Sequence, residues 1–152
     1  MTARMNKNEK GFTLIELLVV IGILAILLAI TLIAINPARQ FGQANDTKRR
    51  SDINAILNAI GQYSASNSGT IPSEITTTPT DFSSTSALST LCAKLVPTYI
   101  PALPVDPAGN NQAGVSDCAA TPWDTQYTLV KDANNRITVS ATGYSGTITV
   151  TR

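Results

Sequence analysis

Glu16 is the one charged side chain between Phe12 and Ile35, in a run that reads FTLIELLVVIGILAILLAITLIAI. A carboxylate inside so apolar a stretch costs free energy in a membrane, so a functional role is the default reading for it. Ahead of the run lies a polar leader, MTARMNKNEKG, in which Arg4, Lys7 and Lys10 are basic and Glu9 is acidic. The other side chains with distinctive chemistry are two cysteines, Cys92 and Cys118. Zinc sites want close pairs and four ligands, so this pair is no zinc pattern. In an exported domain it reads as one disulfide, and in the cytosol as two buried thiols. Histidine is absent, which removes the commonest general base and the commonest metal ligand. No nucleophile has an evident base, and no glycine-rich phosphate loop is present, so a membrane-anchored enzyme finds no support.

The elements that carry these residues follow from composition and pattern. The chain has 152 residues and a formal net charge of +1, so no overall field points to nucleic acid. Charged residues make up 14% of it, against about 25% in ordinary soluble domains, and the shortfall sits in the N-terminal run. As a helix, that run spans about 36 Å, enough for a hydrocarbon core of about 30 Å with some tilt. It is apolar on every face, unlike a surface helix of a soluble domain. A secretory signal peptide has a shorter core and a small-residue cleavage site beyond it. A plain signal anchor fits the length but gives no reason for Glu16.

The segment Lys10-Gly11-Phe12-Thr13-Leu14-Ile15-Glu16-Leu17-Leu18 resembles the prepilin signal of type IV pilins and type II secretion pseudopilins, and the resemblance extends to Ile35. It implies a precursor in the cytoplasmic membrane, cut between Gly11 and Phe12 on the cytoplasmic face by a prepilin peptidase that also methylates the new amino terminus of Phe12. Gly11 bares the backbone at the scissile bond. The new ammonium on Phe12 stands four residues before Glu16, and the resemblance implies that the two charges pair between neighbouring subunits; a pair within one chain is the alternative. Residues 1–11 are then the leader, or a shorter one if translation starts at Met5. The leader's basic residues favour a cytoplasmic location for it, although Arg39, Lys48, Arg49 and Arg50 follow the span. The disulfide reading and the resemblance place residues 36–152 outside.

Beyond residues 12–35, Pro37 should kink or unwind a continuous helix, with Gly22 a second weak point. In residues 36–64, Ile53, Ile56, Leu57, Ile60 and Tyr63 recur at helical spacing and predict an amphipathic second half. The basic cluster Lys48-Arg49-Arg50 reads as a solvated face paired with acids such as Asp46 and Asp52. Residues 65–152 form the head. Residues 64–90, rich in Ser and Thr, read as loop, and Ser86 to Val96 as a short helix bearing Cys92. Alternation over Gln126–Lys131, Arg136–Ala141 and Thr147–Thr151 predicts a three-stranded antiparallel sheet laid on the helix. The fold class is therefore α+β: a long kinked N-terminal helix packed on a small sheet, as in pilins.

The run Tyr99-Ile100-Pro101-Ala102-Leu103-Pro104-Val105-Asp106-Pro107 resembles a segment that precedes the sheet in major pseudopilins and related pilins. In some pseudopilins a nearby loop holds calcium. Asp106, Asn110 and Asp117 offer oxygens here, few against the six to eight that the ion takes, and turn chemistry without a cofactor is the better reading. The expected function is a structural subunit of a pilus-like helical filament, with identical or related subunits, the prepilin peptidase, an inner-membrane assembly platform and the lipid bilayer as partners. The alternative is a pseudopilin whose short periplasmic filament drives protein export. The cysteine pair favours a pilin.

Overall fold

A computed structural model describes residues 11–109 and 113–152. The leader residues Arg4, Lys7, Glu9 and Lys10, and Asn110, lie outside the described residues. The chain divides into two compact units, one ending at Gln40 and the other running from Phe41 to Arg152.

The first unit is built on α1, Leu14–Ile35. Among the described residues it is the one helix long and apolar enough to cross a membrane, and none of its residues is buried. The helix runs without interruption through Gly22 and stops at Asn36, whose φ of 47° and ψ of 78° are left-handed. A residue before proline is pushed out of the right-handed helical region, and asparagine tolerates the left-handed one better than most side chains. Pro37 then opens α2, Pro37–Ser66, at the first helical position, where its missing N–H breaks no helical bond. Asn36 also caps this second helix: its carbonyl accepts from the N–H groups of Arg39 at 3.1 Å and Gln40 at 3.4 Å.

The second unit is a helix-on-sheet domain. Ile53, Ile56, Leu57 and Ile60 of α2 are buried, as their spacing predicts. The helix ends in a left-handed step at Ser68 and Gly69 (φ 55° and 81°), with the Gly69 N–H returned to the Ser64 carbonyl at 2.8 Å, a common way for helices to stop.

The sheet has four strands, all antiparallel, in the order β1 (Thr80–Ser83), β2 (Asp124–Lys131), β3 (Ile137–Thr142), β4 (Thr147–Thr151). The last three are the strands that alternation predicts, and Tyr127, Leu129, Ile137, Val139, Ala141 and Ile148 line the core. Strand β1 corrects the reading of residues 64–90 as loop and of the sheet as three-stranded. It pairs Thr80 with Leu129 and Asp81 with Thr128, then slips register before Ser83 meets Asp124. Gln126, at φ 60°, lies on β2 within this irregular stretch, where β2 carries two residues more than β1 between paired positions and the strand bends. Phe82 gives β1 its place: the ring is fully buried, and the Thr125 hydroxyl donates to its carbonyl at 2.7 Å.

Helix α3, Ser89–Leu95, begins three residues later than the expected Ser86, and Leu91, Cys92 and Leu95 face the core. Cys92 is disulfide-bonded to Cys118. Trp123 packs beside this bridge. Its indole N–H donates to the Cys118 carbonyl at 3.2 Å, and its ring meets Phe82 edge-on at 5.9 Å between centroids.

Candidate processing and assembly segment

Gly11, Phe12, Thr13 and Glu16 form one local structure at the start of α1. Thr13 is the N-cap, with extended backbone at φ −77° and ψ 151°. The backbone N–H of Thr13 donates to Glu16 Oε2 at 2.8 Å, and its hydroxyl donates to the same oxygen at 2.7 Å. The Glu16 N–H donates back to Thr13 Oγ1 at 3.3 Å. This reciprocal capping box satisfies N–H groups that a helix start otherwise leaves without partners. It also places the carboxylate over the first turn, where the helix dipole favours negative charge. The sequence reading singled out Glu16 as an acid but not Thr13 as its partner, although Thr-x-x-Glu ahead of an apolar run is the signature of this cap.

Phe12 is 84% exposed. A Cβ built on Gly11 would meet nothing within 4 Å, so packing in the isolated chain sets no demand for glycine at that position. From Leu14 to Ile35 the large side chains of α1 are exposed, an apolar surface far larger than soluble monomers leave open.

Gly22 also has no neighbour within 4 Å of a built Cβ. Pro37 stands at the helix break, with Asn36 supplying the left-handed residue that the sequence reading did not single out. Cys92 and Cys118 are brought together.

The basic cluster departs from expectation. Lys48 pairs with Asp52 at 2.8 Å and Arg50 is exposed, but Arg49 is buried at 6% exposure and is not part of a solvated face. Its Nε and Nη2 donate to the two carboxylate oxygens of Asp106 at 2.6 and 2.8 Å, and Nη1 donates to Asp46 at 2.8 Å. The hydrogen bond that Arg49 donates to Asp106, outweighing the cost of burial, raises the guanidinium pKa further above its already high ordinary value. The signal was in the helical spacing. The stripe through Ile53, Ile56 and Ile60 extends back to Arg49 at the same four-residue step, so this arginine had to face the core.

Of the residues named for calcium, Asp106 and Asp117 are described, and each accepts hydrogen bonds from protein donors. Asp106 is 3% exposed and also accepts from the Ala108 N–H at 2.8 Å. Asp117 accepts from the Ala119 N–H at 2.9 Å in an exposed turn. Among the described residues no group of three or more His, Cys, Asp or Glu side chains is placed to hold a metal ion.

Residues 6–32 match the family model of the prokaryotic N-terminal methylation motif, the cleavage and methylation segment of type IV pilins and pseudopilins. No curated protein and no solved structure matches the chain.

Proposed function

We propose that this chain, with its prepilin-type N-terminus, is the precursor of a structural subunit of a type IV pilus-like helical filament. The observation that carries the reading is the placement of Glu16 inside the matched segment, one helical turn from Phe12 on an otherwise uncharged helix. A peptidase in the cytoplasmic membrane cuts between Gly11 and Phe12 and methylates the new amino terminus. The glycine that packing does not require suits an enzyme that must reach the backbone.

Cleavage leaves an ammonium at Phe12 beside a carboxylate already held at the helix start. In lipid, each charge gains by meeting an opposite one from another subunit. The apolar surface of α1 is then covered first by lipid and afterwards by the same helix of neighbouring copies. Like subunits joined head to tail without closure give a helical fibre. The head lies outside the membrane, where a disulfide persists.

The test separates processing from assembly. In Glu16→Gln, mass spectrometry of the membrane fraction should find the leader removed and Phe12 methylated, while fibre yield falls at least tenfold. Full fibre yield from this variant, or a chain that keeps its first eleven residues in the cell, would overturn the reading. A second reading, a secretion pseudopilin, is favoured by the Leu103-Pro104-Val105-Asp106-Pro107 run. Loss of an exported protein from the medium after gene deletion, with no surface fibres on the parent strain, would select it.

A further inference from the structure

The Arg49 guanidinium is a buried cation of the helix-on-sheet domain. It lies between Asp46 and Asp106, and it ties three separate stretches together. Asp46 belongs to α2, and its Oδ1 also accepts from the backbone N–H of Tyr144, in the β3–β4 turn, at 2.9 Å. Asp106 belongs to the proline-rich segment Leu103–Gly109. Its backbone is fixed as well, through its N–H to the Thr125 carbonyl at 3.1 Å and its carbonyl to the Gly109 N–H at 2.9 Å. The next acid on α2, Asp52, accepts from Lys48 at 2.8 Å and from the Tyr127 hydroxyl at 2.9 Å. The acids around Arg49 thus spend their charge on protein donors.

Calcium does not fit this arrangement. The ion takes six to eight oxygens at about 2.3–2.6 Å. Both oxygens of Asp106 already face a guanidinium in a two-pronged, charge-assisted grip, and a dication at that carboxylate would sit against a buried positive charge.

The structure assigns the anchoring of the Leu103–Gly109 segment to Arg49, an internal cation that makes the head independent of calcium. The planar fork of arginine suits the role, because it holds a carboxylate at two points and stays charged at every physiological pH. The inference is independent of the filament reading, since it concerns the folding of the head alone.

Thermal unfolding of the full-length protein in detergent micelles tests it. The wild type should melt within about 1 °C of the same temperature in EDTA and in roughly 5 mM calcium chloride, a concentration above the affinity range of extracellular calcium modules. Arg49→Gln strands two acids in the domain and should lower the midpoint by roughly 10 °C or more in both media. Asp106→Asn should also lower it in both media, and this variant with the wild-type calcium series keeps the test informative if Arg49→Gln does not fold. A wild-type midpoint several degrees higher in calcium, stoichiometric calcium in protein purified without chelator, or an unchanged midpoint in Arg49→Gln or Asp106→Asn would overturn the assignment.

Discussion

The phenol of Tyr127 donates a hydrogen bond to Asp52 at 2.9 Å, joining β2 to α2 across 75 residues of sequence. Tyr127 is fully buried. Burial first, and then the charge of Asp52, hold its hydroxyl protonated far above the ordinary range. The bond has a charged acceptor and lies in the domain interior, where such bonds contribute most. Tyr127→Phe keeps the ring and removes only this donor. It should cost about 1.5–3 kcal/mol of head stability, read as a lower denaturant midpoint for the full-length protein in micelles. An unchanged midpoint would mean that Lys48 alone satisfies Asp52.

Acid should loosen the clamp around Arg49. For Asp106, burial raises the pKa, but the Arg49 and Ala108 hydrogen bonds outweigh it and pull the group below 3.8. Asp46 is lowered too, chiefly by the Tyr144 N–H. A carboxyl with a depressed folded-state pKa contributes stability that is complete above its unfolded value and disappears as pH falls through the folded one. The melting temperature should therefore be insensitive to these two groups at neutral pH and drop below about pH 4. Asp106→Asn should flatten that part of the profile. An equal acid slope in wild type and variant would remove Asp106 from the explanation.

The strands β2, β3 and β4 were legible because apolar and polar residues alternate along them, and the second half of α2 because its isoleucines repeat every three or four positions. Strand β1 was hidden. It has four residues and one large apolar side chain, and Phe82 is buried only because β2 lies beside it, more than forty residues away in sequence. Arg49 was misread for a related reason. Between Lys48 and Arg50 it looks like one of three equivalent charges, and its partner Asp106 is 57 residues on. At the N-terminus the chemistry is local, spanning Gly11 to Glu16, so nearly all of the candidate site could be read directly. Asn36 shows the same division: the proline announced a break, but which residue would adopt the left-handed conformation was decided by the backbone.

The Cys92–Cys118 bridge closes a loop of 26 residues. In the chain-entropy account such a loop contributes about 3.5 kcal/mol by restricting the unfolded chain. Replacing both cysteines with serine should lower the thermal midpoint by roughly 10 °C or more, and added reductant should then have no further effect. A reductant effect that persists in the double variant would point to a different origin.

Gly42 has a neighbour that forbids a side chain: a Cβ there would run into the ring of Tyr144. Gly42→Leu should push the β3–β4 turn away and weaken the Tyr144 N–H bond to Asp46, costing about 1–3 kcal/mol. Adding Tyr144→Ala should restore part of that loss, because the collision goes with the ring. Strict additivity of the two changes in a denaturation cycle would show that they do not meet.

Trp123 is the chain's sole tryptophan, and its indole sits in the interior with its N–H on the carbonyl of Cys118. Disulfides quench excited indoles at short range by accepting an electron. The native head should therefore emit weakly and towards the blue, brighten when the bridge is reduced in the folded state, and shift to the red when the chain unfolds. The purified protein thus carries its own label-free optical readout of oxidation and of folding, one that distinguishes the two.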